Sequence, residues 1–122
     1  MMNQIVIVGR LTSDPEVIKS EDGKERSQIT LAVPRSYKNA DGEYDTDFVD
    51  CVLWGGVAEN TSVYCKKGDL IGLKGRVQTS NYETENGEKK KSTQIVAEKI
   101  TFLSSRKEYV DDNEKSNDDI EM

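Results

Sequence analysis

The segment that decides the fold spans residues 47–69 and reads DFVDCVLWGGVAENTSVYCKKGD. Bulky and β-branched side chains dominate residues 47–54, and a glycine pair follows, which predicts a strand. Apolar residues then recur at helical spacing until Gly68, which predicts one short helix with Lys66 and Lys67 in its last turn. The segment is therefore expected to be a strand that leads directly into a helix.

The predicted strand has an unusual outer face, because side chains alternate between the two faces of a strand. Its inner face suits a core and would carry Val49, Cys51 and Leu53. Its outer face would carry Phe48, Asp50, Val52 and Trp54. The only tryptophan of the chain and one of its two phenylalanines would thus meet water. Two interpretations are open: the rings bind a ligand, or they pack under a loop or against another subunit.

Four further strands are predicted around this segment. Residues 3–11 form the first, buried on both faces over part of its length, and residues 26–34 form the second, after an Asp22-Gly23 turn. Residues 69–103 form the last two, joined at Asn86-Gly87. This order predicts an OB-fold, an all-β, five-stranded Greek-key barrel with one short helix between strands 3 and 4, which binds oligonucleotides or oligosaccharides. We expect the barrel domain to span residues 1–104.

Charge is distributed unevenly along the 122 residues, whose formal net charge is −6. Residues 1–104 contain 14 lysines and arginines against 16 aspartates and glutamates, a net charge of −2. Residues 105–122 contain 3 against 7, a net charge of −4, and lack apolar periodicity, which predicts a disordered acidic tail. The predicted barrel is nearly neutral, which leaves room for a local basic groove that binds nucleic acid.

Several function classes are disfavoured by what the chain lacks. It has no histidine, the usual general base and metal ligand, and no paired-carboxylate motif, phosphate loop or nucleophile elbow. We therefore expect no enzyme activity, no metal and no cofactor. No apolar run reaches the roughly 18 residues of a membrane helix, and no signal peptide is evident, so we expect a cytoplasmic protein. Cys51 and Cys65 suit buried, reduced thiols better than a disulfide or a metal pair.

The aromatic residues divide into two groups by their expected position. Phe102, in the last strand, and Tyr64, on the apolar side of the helix, are expected in the core. The others fall on the outer strand face or in the loops at its ends: Tyr37, Tyr44, Phe48, Trp54 and Tyr82. Several rings along one barrel face can stack on the bases of single-stranded nucleic acid, while nearby cations bind its phosphates.

At these residues the sequence resembles the bacterial single-stranded DNA-binding protein family, over residues 3–103. The stretches that carry the resemblance are NQIVIVGRLTSDPEV (3–17), ITLAVPRSY (29–37), DFVDCVLWG (47–55), AENTSVYCKKGDLIGLKGRVQTSNYE (58–83) and AEKITFL (97–103). Within them, VGRLTSDPE followed by KKGD, GR and TSNY is a specific combination that an unrelated barrel is not expected to share.

The resemblance implies a homotetramer of OB-folds that coats single-stranded DNA, without sequence preference, during replication, recombination and repair. It implies that bases stack on Tyr37, Phe48, Trp54 and Tyr82, whereas Tyr44 has no clear counterpart. The basic groups of the family fall here on Arg10, Arg35, Lys38, Lys66, Lys67 and Arg76. Each of these cations also has a simpler interpretation as a solvated surface charge.

Next to Trp54 the chain departs from the family pattern. Gly55 and Gly56 stand where the family commonly has a basic residue, so we expect weaker or more salt-sensitive binding than in a typical member. The cations expected to compensate are those of the last hairpin, Lys89, Lys90 and Lys91.

The C-terminus departs as well, because it lacks the long linker and terminal Pro-Phe of many family members and ends in NDDIEM (117–122). It is either a shortened docking site for replication and repair proteins or a solvating acidic tail that competes with DNA. The docking residues would be Asp118, Asp119, Ile120 and Met122. These departures suggest a phage, plasmid or secondary bacterial copy, which would act on the bacterial nucleoid or, if phage-encoded, in the host cytoplasm.

Three other functions fit the same predicted fold. A primosome-type accessory protein would form a dimer and bridge replication partners. An OB-fold nuclease would need clustered carboxylates such as Asp45, Asp47 and Asp50, which nothing in the sequence orients. A purely structural interaction protein would use Trp54 for stability rather than for binding.

Overall fold

The computed structural model describes residues 1–104, so the predicted acidic tail lies outside the described residues. Its strands and its α-helix have the following bounds, in chain order: β1 Ile5–Leu11, β2 Ile18–Lys19, β3 Glu25–Lys38, β4 Tyr44–Trp54, α1 Gly55–Tyr64, β5 Leu70–Glu83 and β6 Lys89–Ser104. Within this part of the chain, no helix has the length and apolar character that a membrane crossing requires.

The five long strands close into a barrel. The strand order is β1-β5-β6-β4-β3-β2, and β1 also pairs with β3 through Arg10–Ala32 and Leu11–Leu31, which closes the sheet on itself. The pairings are antiparallel except for a short parallel contact between β4 and β6. The predicted OB-fold barrel is confirmed: the helix follows the third long strand, which is β4 because the two-residue β2 adds one strand to the count.

Three hairpin turns share one local geometry, and each has glycine as its fourth residue. In each turn the first amide N–H donates to the carbonyl of the residue four positions later, at 2.7 to 2.9 Å. The glycine N–H in turn donates to the carbonyl of the first residue, at 2.9 to 3.0 Å. Gly23, Gly42 and Gly87 have φ values of 89°, 81° and 83°, a left-handed conformation that glycine adopts without strain. The Asp-Gly and Asn-Gly pairs seen in the sequence therefore set all three turns.

The barrel core is built from the inward side chains of the five long strands and from the buried side of α1. Its fully or nearly buried members are Leu11, Ile29, Leu31, Cys51, Leu53, Ala58, Cys65, Ile71, Leu73 and Ala97. The strand of the deciding segment contributes Cys51 and Leu53, while Val49 packs against the cluster from its edge. The predicted inner face of β4 is therefore confirmed, as is the burial of both cysteines.

Two aromatic side chains expected in the core lie on the surface. Tyr64, the last residue of α1, is 72% exposed, and Phe102 on β6 is 43% exposed. The helix ends at Tyr64, before the two lysines, so the predicted last turn was placed too late and Tyr64 projects beyond the part of α1 that packs on the barrel. On β6, Phe102 is directly opposed to the buried Ile71, so it lies on the inward face, but it sits near the end of the strand, where it borders a cleft with Tyr64 and Cys65 and remains partly exposed.

Two predictions about strand faces also need correction. Val6 and Val8 of β1 are 67% and 50% exposed, so β1 is not buried on both faces in this chain. Val52 shares the outer face of β4 with Phe48 and Trp54, but it is buried rather than exposed to water. Val52 pairs with Val96 in the parallel contact with β6, and Val96 is also buried, so the strand junction covers both side chains.

The bulge at Gly75 generates the first testable prediction. A Cβ atom at Gly75 would overlap the backbone carbonyl oxygen of Val96, whereas a Cβ at Gly72 on the same strand would meet Leu103 Cδ1 at an ordinary 3.7 Å. We expect Gly75→Ala to lower the free energy of unfolding by about 1–3 kcal/mol through overpacking. The control Gly72→Ala is expected to leave stability unchanged or slightly raised, and thermal unfolding measures both. Equal midpoints for the two variants would contradict the close approach at Gly75.

Candidate nucleic-acid interface

One face of the β3–β4 pair presents two of the predicted stacking residues. Directly opposed residues of antiparallel strands share a face. The opposed pairs on the outer face are Arg26–Trp54, Gln28–Val52, Thr30–Asp50 and Ala32–Phe48. We call these eight residues the β3–β4 outer face. The intervening pairs, such as Ile29–Cys51, point into the core, so the register fixes both aromatic rings on the outside.

The two rings on this face are available for contact with a ligand. Phe48 is 66% exposed, and its neighbour on β3 is the small Ala32, which leaves the ring uncovered. Trp54 is 45% exposed at the other end of the strand, where it directly precedes the first residue of α1. Phe48 is thus largely open to solvent, whereas Trp54 is partly covered and borders a groove with the β2–β3 hairpin.

Asp50 lies between the two rings and carries the one acidic side chain of the outer face. The Thr30 hydroxyl donates a hydrogen bond of 2.7 Å to the Asp50 carboxylate across the strand pair. Together with the burial of Val52 on one side, this contact holds the carboxylate against the sheet. The negative charge thus lies on the outer face between the two rings.

The remaining predicted aromatics lie at the ends of the long strands. Tyr37 near the end of β3 and Tyr82 near the end of β5 are both exposed. Tyr44 at the start of β4 is exposed too, and the Lys38 ammonium lies 5.8 Å from its ring centroid, a cation–π arrangement. Lys38 and Tyr44 thus form a pair at the mouth of the β3–β4 hairpin.

A cleft connects the β3–β4 outer face with the β5–β6 hairpin. Its walls include Asp50 and Val52 on β4 and Ser92 and Thr93 on β6. Beyond it, a second cleft is lined by the end of that hairpin, with Asn81, Tyr82, Glu83, Lys89, Lys90 and Lys91. Tyr82 is directly opposed to Lys90, so a ring and an ammonium share one face there. An extended ligand can therefore follow aromatic residues from β4 onto the hairpin.

Comparison with known proteins agrees with this arrangement. Residues 2–103 match the model of the single-strand binding protein family. The chain belongs to the single-strand binding protein family. It is 45% identical over 106 residues to the single-stranded DNA-binding protein B of Bacillus subtilis, which covers 87% of this chain and 94% of that protein. It is 49% identical to the single-stranded DNA-binding protein 3 of Listeria innocua, over 87% of this chain and 66% of that protein. Single-stranded DNA-binding protein 1 of Lactococcus lactis is 46% identical, over 88% of this chain and 71% of that protein.

Arg10, one of the cations predicted from the family, lies in line with Phe48. Arg10 on β1 opposes Ala32, and Ala32 opposes Phe48, so the three residues form one row across three strands on the outer face. One guanidinium nitrogen of Arg10 donates to the Gly68 carbonyl at 2.9 Å, which ties β1 to the loop after α1. Arg10 is thus oriented by a backbone contact at the edge of the aromatic face.

Two other predicted arginines have acidic partners. Arg35 donates from Nε and from a terminal nitrogen to the Asp47 carboxylate at 2.9 to 3.2 Å, with Asp45 at 3.8 Å. The hydrogen bond and charge of Asp47 raise the pKa of Arg35, and Arg35 lowers the pKa of Asp47. Arg76 donates to the Gln78 side chain at 3.0 Å and lies 3.7 Å from the Glu98 carboxylate. Part of the positive charge of both arginines is therefore offset within the protein.

Lys66 and Lys67 follow the helix rather than ending it. Their backbone N–H groups donate to Asp69 and Asp14, each at 2.8 Å, which fixes the loop between α1 and β5. Both residues are exposed. The loop therefore presents two ammonium groups close to the segment that Arg10 contacts.

Sequence reasoning missed two cations beside Trp54. A groove next to this ring is lined by Lys24 and Arg26 of the first hairpin, together with Ile18, Ser20 and Asp22. The Asp22-Gly23 pair predicts the hairpin from the sequence. The position of this hairpin beside Trp54 depends on the β3–β4 register, which no local sequence signal indicates.

The two thiols are buried. Burial raises the pKa of Cys51 to about 11, with the charge of Asp50 adding to the effect, and burial also raises the pKa of Cys65. At neutral pH both groups are thiols and weak nucleophiles. Within residues 1–104, no three histidine, cysteine or acidic side chains are grouped to hold a metal ion.

The Arg35–Asp47 pair generates a prediction about pH. The pKa of Asp47 is expected below its ordinary value of 3.8, chiefly because Arg35 donates hydrogen bonds to the charged carboxylate. A carboxyl group with a lowered folded-state pKa stabilises the fold above its unfolded pKa, and this contribution is lost as pH falls through the folded value. Carboxyl-carbon NMR titration should show the Asp47 pKa rising towards 3.8 in Arg35→Gln and staying low in the control Arg76→Gln. A pKa that is the same in all three proteins would disprove the pairing.

Proposed function

We propose that this protein binds single-stranded DNA without sequence preference and coats it during replication, recombination and repair. The observation that carries the proposal is the outward position of Phe48 and Trp54 on one strand face, with Arg10 and Arg26 in line with them. Aromatic rings stack on any base, and cations bind the phosphates between bases. The proposal includes no catalytic step and no cofactor.

The family membership supports the proposal, since relatives that share 45% to 49% of their aligned residues carry the name single-stranded DNA-binding protein. The further site residues remain part of the proposal. Bases would stack on Tyr37 and Tyr82 in addition to the two rings of β4. Phosphates would be bound by Lys38, Lys66, Lys67, Lys89, Lys90 and Lys91, and by Arg35 and Arg76 to the extent that DNA displaces their acidic partners.

Tryptophan fluorescence tests the stacking directly, because Trp54 is the only tryptophan of the chain. Titration with oligo-dT at low salt is expected to quench its emission. Phe48→Ala is expected to weaken binding by about 1–3 kcal/mol, which is about 5- to 160-fold, with little change in stability because the ring is largely exposed.

Tyr64→Ala is the matched control, because it removes an equally exposed ring from the helix, away from the β3–β4 outer face. Its affinity for oligo-dT is expected to equal that of the unaltered protein. An absence of quenching at low salt would reject the proposed function. A Phe48→Ala variant that loses stability and keeps its affinity would instead support a purely structural role for the ring.

We also propose that the protein is a homotetramer. The outer face of β1 exposes Val6 and Val8, and Leu103 of the nearby β6 is exposed beside Gly72, which is directly opposed to Val8. Apolar side chains gathered on one sheet face favour contact with another protein surface. A second copy of the chain would cover them.

Light scattering is expected to give four times the chain mass of 13.7 kDa, and Val8→Glu is expected to lower it, because a charge would be buried at the contact. Val63→Glu, which changes an exposed valine on α1, is the control and should keep the tetramer mass. A dimer mass for the unaltered protein would favour the primosome-type accessory function instead. A monomer mass would contradict both assemblies.

The remaining proposals concern the tail and the cell compartment. Asp118, Asp119, Ile120 and Met122 lie outside the described residues, and their role as a docking site for replication or repair proteins rests on the resemblance alone. The same holds for a cytoplasmic, nucleoid-associated location, or the host cytoplasm for a phage-encoded protein.

A further inference from the structure

The groove beside Trp54 contains two cations, Lys24 and Arg26, that are not among the site residues predicted from the sequence. It lies between the β2–β3 hairpin and the end of β4, and its lining residues are Ile18, Ser20, Asp22, Lys24, Arg26 and Trp54. The two glycines that follow Trp54 supply no charge on the other side of the ring.

The strand register places this charge next to the ring. Ile18 opposes Arg26, and Arg26 opposes Trp54, so the three side chains form one row across β2, β3 and β4. Directly opposed Cβ atoms lie about 5 Å apart, which is well within the reach of an arginine side chain. A guanidinium at this position can therefore bind a group attached to a base that stacks on Trp54.

The cations of the groove are not used by the protein itself. Among residues 1–104, the Lys24 ammonium and the Arg26 guanidinium have no hydrogen-bond or ion-pair partner, in contrast to Arg35 and Arg76. Both side chains belong to exposed residues. They therefore keep their full charge for a ligand.

Asp22 also lines the groove, but its carboxylate is engaged within the turn. Asp22 accepts hydrogen bonds from the Ser20 hydroxyl and the Lys24 backbone N–H, so its carboxylate is bound within the turn. Glu25 opposes Lys19 on the other face of the hairpin. Among the residues that line the groove, two cations thus outnumber one anion.

We propose that Lys24 and Arg26 form a phosphate subsite for the nucleotide that stacks on Trp54. The base lies on the indole ring, the adjoining phosphate binds the guanidinium and the ammonium, and Ile18 supplies apolar contact at the far edge of the groove. Arginine suits this role because its planar group binds phosphate oxygens in pairs. The subsite rests on the proposed function, since it requires a single strand on the β3–β4 outer face.

The salt dependence of oligo-dT binding, read from Trp54 fluorescence, tests the subsite. Each phosphate contact on a single strand adds about 0.7 to the slope of log affinity against log salt concentration. Because both cations bind one phosphate, Lys24→Gln with Arg26→Gln is expected to reduce the slope by about 0.7 and Arg26→Gln alone by part of that amount, with unchanged thermal midpoints. Arg26→Lys keeps the charge and should keep most of the slope.

Lys19→Gln is the matched control, because it removes the same charge from the same hairpin on the opposite face. Its slope is expected to equal that of the unaltered protein. If Arg26→Gln keeps the full slope, or if Lys19→Gln lowers it equally, the subsite is wrong while the proposed function stands. If the unaltered protein fails to quench with oligo-dT, the proposed function fails, and the subsite fails with it.

Discussion

The antiparallel register of β3 against β4 is the constraint on which the rest of the molecule depends. It runs unbroken from Arg26–Trp54 to Pro34–Thr46, and each step assigns one opposed pair to the core and the next to the surface. A slip of one residue would turn Cys51 and Leu53 outward and bury Phe48 and Trp54. The apolar core therefore specifies the functional face, because burying the first set of side chains requires exposing the second.

The same register aligns the aromatic strand β4, through β3, with the two other strands that pair with β3, namely β1 and β2. Towards β1 it aligns Phe48 with Ala32 and Arg10, and towards β2 it aligns Trp54 with Arg26 and Ile18. Phe48 and Trp54 thus each have an arginine in their own row, two strands away for Phe48 and one strand away for Trp54. Barrel closure matters for this reason as well as for stability: in an open sheet, Arg10 would not lie across β3 from the aromatic strand.

Much of this fold can be predicted from local sequence patterns. Strand alternation gave the two faces of β4, and Asp-Gly and Asn-Gly pairs gave the hairpin turns, because both signals act within a few residues. Tyr64 was misplaced because helical spacing does not say where a helix ends on the barrel, and Phe102 was misplaced because a strand pattern does not say how far the core extends towards the end of β6. Arg26 was missed because its neighbour Trp54 lies 28 positions away and only the pairing of two strands joins them.

Net charge is a poor guide to this interface, because three of the acidic groups near it are bound to neighbouring groups of the protein. Asp47 is paired with Arg35, Asp50 accepts from the Thr30 hydroxyl, and Asp22 is bound within its turn. By contrast, the cations beside Trp54 and in the hairpin cleft project from exposed residues. A phosphate responds to the charges within about a Debye length, roughly 10 Å at moderate salt, so beside Trp54 the nearby Lys24 and Arg26 matter more than the net charge of the whole chain. A chain with a net charge of −6 can therefore present a surface that attracts a polyanion.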